Sequence, residues 1–457
     1  MYSKQILAEI KKKGIEIGDK VKVTKGKESY EGTLMPRIEL GDENSLIVKL
    51  KNGYNVGIEF YKAVRMERLG KGENLGIIPK LTIKRLKKLP GVSIIGTGGT
   101  IGTHVDYKTG GVFMCRSPEE ILSTTPEIGE IIDLKNTQRP FTLASEDMNY
   151  KHWQSIAKSI AKELNSGPRG VIVTHGTDIL HYSAAAISFM LRGLSKPVAF
   201  VGAQRSPDRG SFDGSMNLIC ASHFAGYSDI GEVCLVMHGT TNDDYCLINR
   251  GTRVRKLHTS RRDAFQSVNE KPIAKIWPNG RMEKTGIEYT KFEDKKVKVD
   301  DKWEPKVALI KVFPGSDPSV IEWYLDKKYK GLVIEGTGLG HVPTGQSGTK
   351  MGDFDPKMSW IPYIKKAIDK GVTVMVTSQT IFGRVNPYVY KNLRLLSETG
   401  AIHAEDMLTE TTLVKLSWVL GHTTKPEKTK EMMLTPFARE INPRSPLDSV
   451  AKGDGFF

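Results

Sequence analysis

Residues 92–104 read VSIIGTGGTIGTH, an apolar run followed by a turn with four glycines and three threonines. The apolar run predicts a short buried strand. Glycine permits left-handed backbone angles and close approach to a ligand, and α/β domains bind ligands at turns that follow a strand. The threonine hydroxyls could act as a nucleophile or contact an oxyanion. A tight strand-to-helix turn without chemistry fits the same pattern.

A second turn of this kind follows the next buried run, GVIVTH. It reads THGTDIL over residues 174–180 and places Thr177 and Asp178 where a strand meets a helix. Both residue types cap helices well, so capping alone would explain them. Turns after neighbouring parallel strands lie side by side at the carboxyl edge of a sheet, so both turns would line one pocket. A hydroxyl there needs a base or a cation nearby to become a nucleophile.

The composition indicates a folded protein of two or three domains. The chain has 457 residues, of which 39% are hydrophobic. No apolar run is long enough to span a membrane, and residues 1–20 carry charges throughout, unlike a secretory signal. The four cysteines (Cys115, Cys220, Cys234 and Cys246) form no CxxC pair. We therefore expect reduced thiols in a cytoplasmic protein that does not contact a membrane.

The positive charge is concentrated at the start of the chain. Residues 1–90 hold 20 basic and 11 acidic residues, whereas the rest of the chain holds 47 and 41. A basic segment can attract nucleic acid or an acidic partner. The solvated surface of a thermally robust protein would have the same composition.

Changes in patterning divide the chain into segments. Residues 1–90 show short alternating stretches and the hairpin signal Asn52-Gly53, whereas strand-like and helix-like stretches alternate from residue 91 onward. The latter alternation favours an α/β fold with a mostly parallel sheet. The predicted segments are 1–90, β-rich and ending in a basic linker; 91–285, an α/β domain with both glycine turns; 286–305, a polar linker; and 306–457, a second α/β domain with an irregular tail from Thr423.

Other ligand motifs fit the first turn poorly. A dinucleotide fingerprint GxGxxG would need glycine in place of Ile101, and no GK[ST] follows that would make a phosphate loop. The histidines show no HExxH or other paired spacing, so we expect no metal site and no cofactor in this chain.

The two turns together resemble the threonine signatures of the L-asparaginase/glutaminase family of amidohydrolases. The matching stretches are GTGGTIGTH (96–104) and THGTD (174–178), and ASEDMN (144–149) resembles the family's substrate-binding segment. The similarity extends over about residues 91–420. It implies the family's two-domain parallel-sheet α/β fold, here preceded by the small, mostly β N-terminal domain.

The resemblance implies a role for each matching residue. Thr100 would be the catalytic nucleophile and Thr177 the second catalytic threonine. Asp178 would contact the α-amino group of the substrate. Lys256, in RVRKLHTSRRDAF, matches the lysine that pairs with the second threonine.

Three further positions would bind substrate. Ser145 and Glu146 match the residues that hold the α-amino acid moiety. Tyr107 resembles the tyrosine of the mobile loop that activates the nucleophile.

Several segments depart from a plain bacterial asparaginase. The basic N-terminal segment is additional, and the C-terminal half contains the stretches GTGLGHVPTG (336–345), SQTIFGRVNPYVY (378–390) and DMLTETTLVKLSWVLG (406–421). In this order they are similar to the glutaminase subunits of archaeal tRNA-dependent amidotransferases.

This second resemblance implies partners. Ammonia released from glutamine would pass to a partner protein, GatE, which uses ATP and Mg²⁺ to amidate the glutamate of Glu-tRNA(Gln). The chain would form a homodimer within a heterotetramer. A free-standing L-asparaginase/glutaminase is the alternative, and a non-catalytic binding protein with the same fold is a third hypothesis.

Overall fold

The computed structural model describes residues 2–36, 42–50, 55–72, 89–99, 101, 125–205, 212–345 and 355–445, with the backbone alone at 55, 103–105 and 112–114. These residues form three hydrophobic clusters. One lies in the N-terminal module, one fills the first α/β domain, and one lies on the outer face of the C-terminal sheet.

The N-terminal module is a five-stranded antiparallel sheet with one helix. Its elements are α1 (Lys4–Lys12), β1 (Lys20–Lys25), β2 (Glu28–Leu34), β3 (Ser45–Leu50), β4 (Asn55–Glu59) and β5 (Arg65–Gly70). The sheet order is β4-β3-β2-β1-β5. Alternation along the strands buries Val21, Val23, Leu46 and Val48. The expectation of a mostly β module is confirmed, while the predicted Asn52-Gly53 turn lies outside the described residues.

The first α/β domain contains an eight-stranded mixed sheet, ordered β18-β17-β14-β13-β12-β10-β6-β9. The five strands from β13 to β9 are parallel, and the other three are antiparallel. The strands of this domain are β6 (Gly91–Gly96), β7 (Thr103–Val105), β8 (Val112–Met114), β9 (Asp133–Gln138), β10 (Gly170–Thr174), β11 (Leu191–Arg192), β12 (Val198–Val201), β13 (Val233–His238), β14 (Cys246–Arg250), β15 (Val254–Lys256), β16 (Phe265–Ser267), β17 (Ala274–Ile276) and β18 (Met282–Lys284). Its helices are α2 (Ile128–Ile131), α3 (Tyr150–Asn165), α4 (Leu180–Met190) and α5 (Gly214–Tyr227).

The segment 286–305 forms hydrogen bonds with both α/β domains. Its short strand β19 (Lys298–Val299) pairs with β11. The Glu304 amide donates to the Ser417 carbonyl at 2.9 Å, and the Trp418 indole donates to the Asp300 carbonyl at 3.0 Å.

The C-terminal domain contains a four-stranded parallel sheet ordered β20-β21-β22-β23. Its elements are β20 (Val307–Lys311), α6 (Val320–Asp326), β21 (Gly331–Gly336), α7 (Trp360–Asp369), β22 (Thr373–Ser378), α8 (Lys391–Glu398), β23 (Ile402–His403), α9 (Thr409–Leu420) and α10 (Pro426–Leu434). Because strand side chains alternate, Val333 joins the core of the first domain, whereas Leu332 and Ile334 join the outer core. Helix α9 packs on α4, where the rings of Phe189 and Trp418 stack 5.9 Å apart.

The prediction of an irregular tail from Thr423 is wrong. Residues 426–434 form α10, which begins with Pro426 in its first turn, where a missing amide proton costs no hydrogen bond. The helix buries Thr429 and Met433 despite its high content of charged residues. Tertiary contacts therefore stabilise a helix that composition alone did not indicate.

A buried ion pair holds the tail in place. Lys415 on α9 contacts Glu440, and both side chains are fully buried. The Lys415 ammonium also donates to the carbonyls of Met433 and Thr435, at 2.6 and 2.8 Å. Burial lowers the pKa of Lys415, and Glu440 opposes that shift.

Replacing Lys415 with Met should destabilise the protein markedly, because Glu440 would keep a buried charge without its cation. The expected loss in the free energy of unfolding is about 3–5 kcal/mol. Urea denaturation checks this, with Lys365→Met as the control, since Lys365 forms an exposed pair with Asp369 and should change stability by less than about 1 kcal/mol. Equal losses in the two variants would contradict the expectation.

Candidate active site

The two glycine turns lie side by side, as the sequence predicted. Strands β6 and β10 pair in parallel, with Gly96 opposite Thr174. Beyond that pair, the Thr97 amide and hydroxyl both donate to the Thr174 carbonyl, at 3.1 and 2.9 Å. Both turns therefore project from the carboxyl edge of the sheet, where α/β domains place their ligands.

The backbones of the two turns are in close contact. Gly98 and Gly99 have φ angles of 108° and 88°, which side-chain-bearing residues rarely adopt. A Cβ atom on Gly99 would lie 2.3 Å from both N and Cα of Gly176. A Cβ atom on Gly176 would in turn lie 2.8 Å from the Cβ of Ser145. Glycine at both positions therefore allows the two turns and Ser145 to stack closely.

Lys256 joins the two polar side chains of the second turn. Its Nζ donates to Thr177 Oγ1 at 2.9 Å and lies 2.8 Å from Asp178 Oδ1. Thr177 is buried, and the Lys256 side chain is 10% exposed, whereas the Asp178 side chain is 66% exposed. The Thr177 oxygen accepts a hydrogen bond from the Lys256 ammonium, so the Thr177 hydroxyl proton is left to be donated to another acceptor. A cation beside a hydroxyl favours the alkoxide, so Thr177 is placed for proton-transfer chemistry.

A small hairpin brings Lys256 to this edge. Lys256 is the last residue of β15 and lies opposite Phe265 in the antiparallel pair with β16. The Leu257 amide continues the pairing with a 2.6 Å hydrogen bond to the Ala264 carbonyl. The pairing fixes the end of β15 beside a turn 79 residues earlier in the chain.

The predicted substrate-binding segment also reaches the glycine turns. The Leu143 amide donates to the Thr97 carbonyl at 3.1 Å. Ser145 and Glu146 then form a single 3₁₀ turn, with Ser145 buried beside Gly176 and Glu146 exposed. The Ser145 hydroxyl lies 3.4 Å from a Glu146 carboxylate oxygen. A hydroxyl and a carboxylate are thus available next to the Thr177–Lys256 pair.

Two of the predicted site residues, Thr100 and Tyr107, lie outside the described residues. The other five (Ser145, Glu146, Thr177, Asp178 and Lys256) come together at the carboxyl edge.

Two buried histidines flank the site and stay neutral at ordinary pH. His175 places Nδ1 2.7 Å from the Gly176 carbonyl, and burial lowers its pKa to about 4. Burial, together with the charges of Arg255 and Lys256, lowers the pKa of His181 to about 3. Sequence reasoning missed His181 and Arg255. His181 lies in the first turn of α4, four residues after Thr177, and no sequence motif singles it out.

The described part of the chain contains neither a metal-binding cluster nor a membrane-spanning helix. There, no group of three or more His, Cys, Asp and Glu side chains could hold a metal ion. No helix in the described ranges is long and apolar enough to cross a membrane.

Three protein-family models match the chain. "Asparaginase, N-terminal" matches residues 91–288 and "Glutaminase/Asparaginase C-terminal domain" matches 306–433. "GatD N-terminal domain" matches residues 15–69. The last match lies in the antiparallel module that precedes the two α/β domains.

Full-length relatives and solved structures agree with these matches. The D subunit of the glutamyl-tRNA(Gln) amidotransferase of Pyrococcus abyssi is 50% identical over 97% of this chain and 99% of its own length. The same subunit of Methanopyrus kandleri is 41% identical over 98% of this chain and 96% of its own length. The thermostable L-asparaginase from Thermococcus kodakarensis superposes with a TM-score of 0.67 at 27% identity, covering 78% of this chain and all of that one. L-asparaginase I from Vibrio cholerae superposes with a TM-score of 0.66 at 28% identity, covering 78% of this chain and 99% of that one.

A methyl group at Gly99 should disrupt the contact between the two turns. Gly99→Ala should lower the free energy of unfolding by about 2–4 kcal/mol, because left-handed strain and overpacking against Gly176 add together. Gly193→Ala is the matched control, since Gly193 has a φ of 69° and a Cβ atom there would lie 4.0 Å from its nearest neighbour. Chemical denaturation compares the two variants, and equal losses would show that the close approach is unimportant.

Proposed function

Because the chain belongs to the GatD family of glutamyl-tRNA(Gln) amidotransferases, we propose that it is the glutaminase subunit of such an enzyme. It hydrolyses the side-chain amide of glutamine to glutamate and ammonia. The observation that carries this proposal is the contact of Lys256 with both Thr177 and Asp178, at the edge where Ser145 and Glu146 also lie. These are the residue types that an amidohydrolase needs to bind an amino acid and activate a hydroxyl.

The first half of the reaction forms an acyl-enzyme. The Thr100 hydroxyl oxygen attacks the amide carbon, and its proton is transferred, with the help of Tyr107, toward the leaving amine. Backbone amides of the glycine turns stabilise the negative charge on the carbonyl oxygen. The carbon–nitrogen bond breaks, ammonia leaves, and the glutamyl group remains esterified to Thr100.

The second half releases glutamate. Thr177 positions a water molecule, which attacks the ester carbon and gives a proton to the Thr177 oxygen, while the Lys256 ammonium stabilises the negative charge that develops there. The Thr177 hydroxyl proton passes to the Thr100 oxygen as the ester bond to Thr100 breaks. Asp178, with its carboxylate largely exposed, binds the α-amino group of glutamine, and Ser145 and Glu146 hold the rest of the amino acid moiety.

A partner protein, GatE, uses the ammonia. GatE uses ATP and Mg²⁺ to activate the glutamate of Glu-tRNA(Gln), and ammonia then converts it to glutamine. No cofactor acts in this chain. The active assembly is a cytoplasmic heterotetramer built on a homodimer of this chain. The match of residues 15–69 to the GatD N-terminal domain supports this assignment over a free-standing asparaginase.

Thr177→Val should abolish most glutaminase activity, because valine keeps the shape of threonine but has no hydroxyl to accept a hydrogen bond from Lys256. The expected loss in kcat is about 10³-fold or more. Glutamate release from glutamine is measured with and without GatE and Glu-tRNA(Gln). Thr373→Val, in strand β22, is the control and should retain full activity.

Two results would contradict the proposal. Near-wild-type glutamate release by Thr177→Val would remove the threonine from the mechanism. Full activity of the isolated chain, with free asparagine as the preferred substrate, would favour a free-standing asparaginase.

A further inference from the structure

The strand that carries Lys256 is anchored to the C-terminal domain by arginines. Arg255 Nη2 lies 3.0 Å from Glu410 Oε1, and Arg253 Nη1 lies 3.0 Å from Asp406 Oδ2. Glu410 is in the first turn of α9, and Asp406 lies four residues before it. Since side chains alternate along a strand, Arg255 points to one side of β15 and Lys256 to the other, while Arg253 immediately precedes the strand. The position of Lys256 thus depends on contacts with the C-terminal half.

The two carboxylates are not equivalent. Asp406 is fully buried and accepts hydrogen bonds from the Asn442 amide and side chain, each at 3.0 Å, besides its pair with Arg253. It therefore joins several segments of the chain. Asp406 belongs to the structural framework of the protein.

Glu410 is held mainly by Arg255. Its side chain is 8% exposed, and among the described residues its second oxygen has no hydrogen-bond partner. Burial raises the pKa of Glu410, while the charge of Arg255 opposes that shift. A buried carboxylate with one strong cationic partner is costly to separate from it, so the pair resists displacement of β15.

Backbone pairing holds β15 over a short length only. The strand has three residues and pairs with the three-residue β16, and the Leu257 amide adds one hydrogen bond to the Ala264 carbonyl. His181 lies within the electrostatic influence of Arg255 and Lys256, and its buried Nδ1 has no hydrogen bond in the described part of the chain. The Arg255–Glu410 pair adds a side-chain anchor on the side of the strand opposite the 2.9 Å contact of Lys256 with Thr177.

We propose that Glu410 is a positioning residue of the glutaminase: through Arg255 it fixes β15 so that Lys256 stays within hydrogen-bonding distance of Thr177. This proposal rests on the proposed function. Helix α9 also packs on α4, which begins two residues after Asp178, so one helix contacts both the helix that follows the Thr177–Asp178 turn and, through Glu410, the strand that carries Lys256. The C-terminal domain thereby sets the geometry of a site whose reacting groups all lie in the first α/β domain.

The test is a double-mutant cycle with Glu410→Gln, Arg255→Gln and the double variant. Each single change should lower kcat for glutamine by about 10- to 100-fold, because a displacement near 1 Å has effects of this size. KM should change by less than about threefold, since the substrate-binding groups stay in place. The double variant should lose no more than Arg255→Gln alone, because both changes remove one interaction. Glu322→Gln, which breaks an exposed ion pair with Lys366, should keep wild-type kcat and KM.

Folding is measured alongside as Tm by circular dichroism. If a single variant does not fold, the Arg255→Met/Glu410→Met variant, which leaves neither charge of the pair unmatched, takes its place with the same expected loss of kcat. A folded Glu410→Gln protein with wild-type kcat, or losses that multiply in the double variant, would overturn the positioning role. Absence of glutaminase activity in the wild-type protein would instead overturn the proposed function.

Discussion

The close approach of the Gly99 and Gly176 backbones is the constraint on which the candidate site depends. Without it, the turns after β6 and β10 could not stack at the carboxyl edge of the parallel sheet, and Ser145 could not reach them. The parallel pairing brings the turns to the same edge, and the glycines remove the side chains that would separate them. Polar groups from three separate stretches of sequence then surround one space.

Ion pairs connect the site in the first α/β domain to the C-terminal domain. Lys256 contacts Thr177 and Asp178 on one side of β15, while Arg255 contacts Glu410 on the other. Because a buried ion pair is stable only in a narrow range of geometries, a small movement of α9 would displace Arg255 and with it the strand that carries Lys256. Helix α9 of the C-terminal domain is thereby connected, through Glu410 and Arg255, to the strand that carries Lys256.

The sequence predicted the features that depend on local pattern or on family motifs. The apolar runs before residues 96 and 174 predicted β6 and β10, and their glycine turns predicted the shared edge. Lys256 was placed only by resemblance, since the three-residue strands β15 and β16 are too short to give a periodic signal. Helix α10 was missed because its stability depends on packing that buries Met433. The role of Arg255 depends on Glu410, 155 residues away, and no local pattern indicates that contact.

The chemistry of the site depends on which threonine attacks the substrate. A diazoketone analogue of glutamine alkylates the group that attacks the substrate carbon, and tandem mass spectrometry of the digested protein locates the adduct. We predict one adduct per site, on Thr100, which Thr100→Val and an excess of glutamine both abolish. An adduct on Thr177, or labelling that persists in Thr100→Val, would contradict the assignment of the two threonines.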